Sequence, residues 1–469
     1  MTAAEYTEQV GTPAPIFSES EIADRFAERH SKTLCYVGAW KRWYLYDGKC
    51  WREEKTLLAF DLVRALCREL ARQCNKASEA KALLSNKTIA AVENIAKTDR
   101  HFAATIDQWD KDPWLLNTPD GVIDLRTGRL KPHVPEYYQT KITAVGPGSQ
   151  CPLWEKHLNR IMNGDAELIA FLQRGLGYSL TGSVQEHALF FGHGGGANGK
   201  GTTIETVARI LGDYARTAPM ETFTSSSTDR HPTELAMLRG ARFVTAGETE
   251  QGRKWAESRI KSLTGGDAIS ARFMRADFFE YVPQFKLWLT GNHKPGLKSV
   301  DEAIRRRFNL VPFTVTIPEK ERDKELPEKL KAEWSGILRW MVEGCLSWQR
   351  DGLAPPKAVK DATDAYLASQ DILGLWFDEN CVRDRKGQLR LAQLYENFKV
   401  WAENSGEFVV SKKRFAEMLE TASEAFGIEK VPDMFVDGTH GVGFKGVRFR
   451  ANSMPHADRR EPPRNPGPM

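Results

Sequence analysis

Cysteines are few in this chain and none are spaced for metal: Cys35, Cys50, Cys67, Cys74, Cys151, Cys345 and Cys381 include no C-x-x-C pair and have no nearby histidine pattern. A zinc-bearing module and a disulfide framework are both excluded on that ground, and reduced, mostly buried thiols are expected. No apolar run approaches the length of a membrane span, and no N-terminal apolar region resembles a secretion signal, so a cytoplasmic location and no membrane partner are expected. Internal repeats of the solenoid kind are missing as well. Charge of one sign is also scarce, since 66 Lys and Arg against 62 Asp and Glu leave an excess of only four positive charges. Contact with a polyanion must therefore be local, within a channel or on one face. The 469 residues suffice for roughly two to four domains with a sizeable core.

What is present is concentrated in the middle of the chain. The stretch Gly194-Gly195-Gly196-Ala197-Asn198-Gly199-Lys200-Gly201-Thr202-Thr203 follows the apolar run Ala188-Leu189-Phe190-Phe191. It precedes Ile204, Val207, Ile210 and Leu211 at helical spacing. A glycine-rich loop between a buried strand and a helix N-terminus lets backbone amides and the helix dipole hold phosphates, with Lys200 reaching the β and γ groups. ATP is the expected ligand, bound with Mg²⁺. Gly201 stands where a metal-binding Ser or Thr is usual, so Thr202 or Thr203 must supply that hydroxyl.

Further along, Arg242-Phe243-Val244-Thr245-Ala246-Gly247-Glu248-Thr249-Glu250 reads as a second buried strand ending in acids. Glu248 is the first choice for holding Mg²⁺ or for polarising the attacking water, and Glu250 takes the other role or none. A third strand, Phe285-Lys286-Leu287-Trp288-Leu289-Thr290, runs into Gly291 and Asn292, whose amide is placed to orient the lytic water. Arg305-Arg306-Arg307 then precede the apolar Phe308-Asn309-Leu310-Val311-Pro312-Phe313, where a guanidinium can neutralise transition-state charge.

Taken together, these blocks resemble the superfamily-3 helicases, in particular the phage and plasmid replication helicases related to the poxvirus primase-helicase. Gly194 to Lys200 carry the likeness first. Leu235-Ala236-x-Leu238-x-Gly240-x-Arg242-Phe243 leading to Glu248 follows, then Ile260-Lys261-x-Leu263-Thr264-Gly265-Gly266-Asp267-x-Ile269-x-Ala271-Arg272. The last two blocks are Lys286-Leu287-Trp288-Leu289-x-x-Asn292-His293-Lys294-Pro295 and Asp301-x-Ala303-Ile304-x-Arg306-Arg307. The resemblance implies an α/β fold with a P-loop, AAA+-like three-layer motor that assembles as a ring, commonly a hexamer, with ATP between subunits. Lys200, Thr202, Glu248 and Asn292 then share one face, and an arginine finger comes from the neighbour, Arg307 first and Arg306 second. It also implies a channel hairpin around Arg272-Phe273-Met274-Arg275-Ala276-Asp277 that grips single-stranded DNA. There Arg272 and Arg275 suit phosphate and Phe273 suits base stacking. Lys261 is a further candidate for phosphate or DNA.

The flanking regions divide as follows. Residues 1–16 read as a flexible leader, and residues 17–148 as a mainly helical or mixed domain of the poxvirus primase-helicase type. That domain opens with a helix capped by Ser18 and contains a hairpin at Trp43-Tyr44-Leu45-Tyr46 and Lys49-Cys50-Trp51. Helices are expected over 57–74 and 89–95. Trp40, Trp43 and Trp51 suit cross-strand packing better than stacking on nucleic acid. No strand ahead of the motor bears closely spaced aspartates for two metals, so priming falls to a separate primase. Residues 149–352 form the motor, and a Pro/Gly break at 351–356 precedes a winged-helix-like domain over 357–450. There Lys412, Lys413 and Arg414, in the first turn of a helix capped by Ser411, are candidates for duplex phosphates. Residues 451–469 read as a disordered tail.

The expected function is ATP-dependent unwinding in the replication of a phage, prophage or plasmid, with 3′ to 5′ movement on single-stranded and forked DNA implied by the resemblance. A DNA-binding initiator that uses ATP only as an assembly switch is the alternative.

Overall fold

A computed structural model describes residues 17–225, 233–247, 253–274, 277–297, 301–407 and 409–450. The proposed leader and tail, together with Glu248, Glu250 and Arg275, lie outside the described residues. The chain forms two units, one comprising Met1–Pro295 and Arg306–Val359, the other Gly296–Arg305 and Lys360–Met469.

A five-stranded parallel sheet organises the first unit. Its strands in chain order are Leu189–His193, Ala215–Thr217, Phe243–Ala246, Lys286–Gly291 and Phe308–Pro312. Across the sheet they stand fifth, first, fourth, third, second. Apolar residues run almost unbroken along these strands because both faces are covered. Phe190 stacks on Trp288 at 4.2 Å, whereas its neighbour Phe191 meets Trp255 edge-on at 5.6 Å. Beneath the sheet, helices Ala166–Tyr178 and Trp334–Asp351 approach closely through glycines. A methyl group on Gly344 would lie 2.1 Å from the Gln173 carbonyl oxygen, so no larger residue fits there without displacement.

Residues 17–148 carry more β-structure than their apolar spacing suggested. Ser18 caps helix Glu19–His30 through its hydroxyl, which accepts the Glu21 N–H at 3.2 Å. Strands Arg42–Tyr46 and Trp51–Glu53 form the expected hairpin, its turn held by two backbone N–H groups donating to Asp47 Oδ1. They belong to a four-stranded sheet, and Leu115–Thr118, Gly121–Asp124 and Arg129–Lys131 form a second, three-stranded one. The helices run Leu58–Ala71 and Asn86–Ala96, with an additional helix, Ala77–Leu83, between them. Trp43 and Trp51 are buried among other rings, including Phe102 and Tyr138, so they serve packing.

The boundary expected near residue 148 separates sheets but not bodies, and buried cations join the two sides. Arg242 donates from Nη1 to the Leu180 carbonyl at 2.7 Å and from Nη2 to the Leu115 carbonyl at 2.9 Å. Next to it, Lys286 is enclosed by the carbonyls of Thr181 and Ser183 and lies 4.5 Å from the centroid of the Tyr178 ring. Burial lowers the pKa of both groups. Replacing Arg242 by Ala would unpair carbonyls at about 1–3 kcal/mol each and leave a cavity. Chemical denaturation should therefore show a loss of more than about 3 kcal/mol; a loss within about 0.5 kcal/mol would show that the joint does not depend on this side chain.

In the second unit, helix Ile372–Asn380 leads into strand Cys381–Arg390, followed by helices Leu391–Asn404, Lys412–Thr421 and Ser423–Phe426. The hairpin Glu429–Val436 and Thr439–Phe449 completes a three-stranded sheet in which the last strand is central. Leu394 and Phe398, four residues apart, and Phe415 and Leu419, likewise, put their helices' apolar stripes on one core with Trp376 and Phe444.

Candidate functional site

The glycine-rich loop leaves the end of strand Leu189–His193 and enters helix Lys200–Leu211. Gly199 has φ +79°, a left-handed conformation at the helix entrance that favours glycine. A methyl group on Gly194 would lie 2.1 Å from the Phe313 carbonyl oxygen, which explains a second glycine. The loop is fastened to the segment after the Phe308–Pro312 strand: Asn198 Nδ2 donates to the Phe313 carbonyl at 3.2 Å, and the Ile317 N–H donates to the Ala197 carbonyl at 2.8 Å.

Sheet register brings Asn292 to this loop. Gly291 pairs with His193 on the adjacent strand, so the residues that follow them, Asn292 and Gly194, emerge side by side. Lys200 Nζ donates to Asn292 Oδ1 at 3.2 Å, and also to the carbonyls of Gly194 and Gly195. Burial lowers the Lys200 pKa, and it holds His193 at about 4, with Lys294 and Lys200 nearby adding to the effect. A lysine ammonium beside the first amides of a helix gives this end of the loop a local positive potential.

The two threonines differ. Thr203 is buried and its hydroxyl donates to the Gly199 carbonyl at 3.0 Å, while Thr202 is half-buried. Of the two hydroxyls, that of Thr203 is thus engaged within its own helix. Strand Phe243–Ala246 pairs with Lys286–Gly291 and ends at the same edge, whereas Glu248 and Glu250 lie outside the described residues. Among the described residues no group of three or more His, Cys, Asp or Glu is placed to hold a metal ion.

Arg306 and Arg307 are separated by their surroundings. Arg307, the residue first expected to reach a neighbouring subunit, is buried, with Nε donating to Thr264 Oγ1 at 3.0 Å and its carbonyl accepting the Leu189 N–H at 2.7 Å. Arg306 is exposed. Strand geometry accounts for the difference, because Arg307 immediately precedes strand Phe308–Pro312 and is drawn into its pairing with Leu189–His193.

Helix Glu257–Gly265, which carries half-buried Lys261, leads into the expected hairpin. Ile269–Ala271 pairs antiparallel with Phe279–Tyr281. Its tip presents Phe273 at 47%, Met274 at 70% and Phe278 at 57% exposure, so these apolar side chains are not core. The Arg272 guanidinium stands over the Phe278 ring at 4.6 Å, and Phe273 stacks on Phe279 at 5.7 Å. Phe278 was not singled out from the sequence, although its place in an aromatic pair after the tip was available as a signal. In the second unit, Lys412, Lys413 and Arg414 are exposed in the first turn of their helix, and Arg414 pairs with Glu417 at 3.4 Å.

Residues 23–163 match the family described as D5 N terminal like, and residues 192–307 match a family of unknown function, DUF5906. Over 322 residues the chain is 25% identical to a protein of Acanthamoeba polyphaga mimivirus named "Putative helicase L207/L206", covering 62% of this chain and 33% of that protein. It is 26% identical over 251 residues to "Putative helicase 022R" of Frog virus 3 (isolate Goorha), covering 49% and 26%. The chain thus spans about a third or less of the length of these curated relatives. The apo structure of the NrS-1 C terminal region has a TM-score of 0.50 at 11% identity, covering 93% of this chain and all of that one, so the fold is shared. The likeness thus consists of a D5-like N-terminal part and a shared mixed α/β fold with a parallel sheet. No helix among the described residues is long and apolar enough to cross a membrane.

Proposed function

We propose that this chain is an ATP-dependent DNA helicase that serves the replication of a mobile element. The observation that carries the reading is the meeting of Lys200 Nζ and Asn292 Oδ1 at 3.2 Å, at the ends of adjacent parallel strands. A lysine and an amide so placed can hold a γ-phosphate and orient the water that attacks it. The strand order and the glycine-rich loop suit a P-loop, AAA+-like core, and the names of the viral relatives point the same way.

In this reading ATP lies along the amides from Gly194 to Thr203. Thr202 and Glu248 would hold Mg²⁺, which would offset the charge that develops in transfer. Glu250 remains the alternative acid. Copies of the chain assemble as a ring, a hexamer by family resemblance, and Arg306 rather than Arg307 serves as the finger because it is exposed. Lys261, Arg272, Phe273 and Arg275 contact the strand in the channel, sugar-phosphate by charge and bases by stacking. Movement is 3′ to 5′, and a separate primase supplies primers.

Release of a labelled strand from a forked duplex tests this directly. ATP-dependent release from forks with a 3′ single-stranded arm, lost in Phe273→Ala, is the expected result. ATP hydrolysis without release would favour an initiator that uses ATP as an assembly switch. One observation favours that second reading: the helix–strand–three-helix–hairpin order of the second unit suits a winged helix, with Lys412 and Lys413 exposed.

A further inference from the structure

Beneath the glycine-rich loop runs helix Pro152–Ile161, which no motif in the sequence marks. Its N-terminus is fixed by Glu333, whose carboxylate accepts the N–H groups of Leu153 and Trp154 at 3.0 and 2.9 Å. Its other end presses on Gly199: a methyl group there would lie 2.5 Å from Ile161 Cγ2 and 3.0 Å from His157 Cε1. His157 is buried, and its Nε2 lies 3.0 Å from Thr203 Oγ1. Burial lowers the imidazole pKa to about 4, so the ring is neutral near pH 7. The Gly199 carbonyl accepts both the Thr203 backbone N–H and the Thr203 hydroxyl at 3.0 Å, an arrangement in which a proton on Nε2 of the neutral ring donates to the hydroxyl oxygen.

We infer that His157 is a positioning residue for the phosphate-binding loop, acting through Thr203 on the Gly199–Lys200 peptide. The inference rests on the nucleotide reading above. The Gly199 carbonyl and the Lys200 N–H share one rigid plane and point opposite ways, so anchoring the oxygen aims the N–H. Among the described residues that N–H makes a long contact of 3.4 Å to Asn198 Oδ1, a partner that a phosphate oxygen readily replaces. A loop held in this geometry before ligand arrives loses less entropy on binding.

The test compares His157→Leu with His157→Gln, which keeps a donor near the position of Nε2, and Thr203→Val with Thr203→Ser, which keeps the hydroxyl. The readouts are ATP hydrolysis and amide hydrogen exchange of the segment 194–203 in nucleotide-free protein. The Leu and Val variants should raise KM for ATP by about 10-fold or more with kcat within about 3-fold. They should also speed exchange across the loop. The Gln and Ser variants should stay close to wild type, and the Leu–Val double variant should lose no more than either single one, as expected for one shared contact. If His157→Leu fails to fold, the Thr203 pair decides alone. Unchanged KM and exchange in Thr203→Val, or equal losses in the conservative variants, would overturn the positioning role while leaving the nucleotide site standing. Failure of the wild-type chain to bind ATP would instead remove the nucleotide reading, and the role of His157 with it.

Discussion

Lys200→Ala is expected to lower ATP turnover by about 1,000-fold or more. The ammonium is buried at the helix entrance and its donors meet Asn292 Oδ1 and the loop carbonyls, so no second cation is held in the same place by the same contacts. Alanine removes the point charge that would stabilise the transferring phosphoryl group and leaves those oxygens facing one another. Because phosphoryl transfer depends on positioning and charge stabilisation, the loss should fall on kcat more than on overall stability. Hydrolysis assays beside a thermal melt separate the two effects. Turnover within about 10-fold of wild type in a folded Lys200→Ala protein would remove the loop from the mechanism.

Arg306→Ala and Arg307→Ala should fail in different ways. Arg306 is exposed, so its loss should leave the melting temperature nearly unchanged while lowering turnover by about 1,000-fold or more if the guanidinium completes a neighbour's site. Mixed with wild type, such subunits should depress activity more steeply than their share of the mixture. Arg307 is bound within its own subunit through Thr264 and the pairing with Leu189, so alanine there should chiefly destabilise the core. A stable, inactive Arg307→Ala that poisons mixtures, beside an active Arg306→Ala, would reverse the assignment.

The ease with which these residues were found in the sequence follows from how local their signals are. Gly194 to Lys200, the helix stripe Leu394 and Phe398 and the Ser411 cap each report on their own few residues, and each lies where its spacing put it. Arg306 and Arg307 are adjacent and chemically identical, and only the strand that begins at Phe308 tells them apart. Thr202 and Thr203 differ for a similar reason, since one reaches His157 across 46 positions of chain. Arg242 and Lys286 read as ordinary motif cations, but their acceptors are carbonyls from distant segments that become neighbours only after folding. Helix Ala77–Leu83 was missed because it buries little besides Leu83 and so has no apolar stripe to read.

In the proposed motor, single-stranded DNA stimulates nucleotide cleavage at the Lys200 site. ATP hydrolysis by the purified chain, titrated with single-stranded DNA, addresses it most directly. A saturable rise of about 10-fold or more, absent in Lys200→Ala, is the predicted result. A rate that does not respond to DNA, or that is the same in wild type and Lys200→Ala, would contradict it.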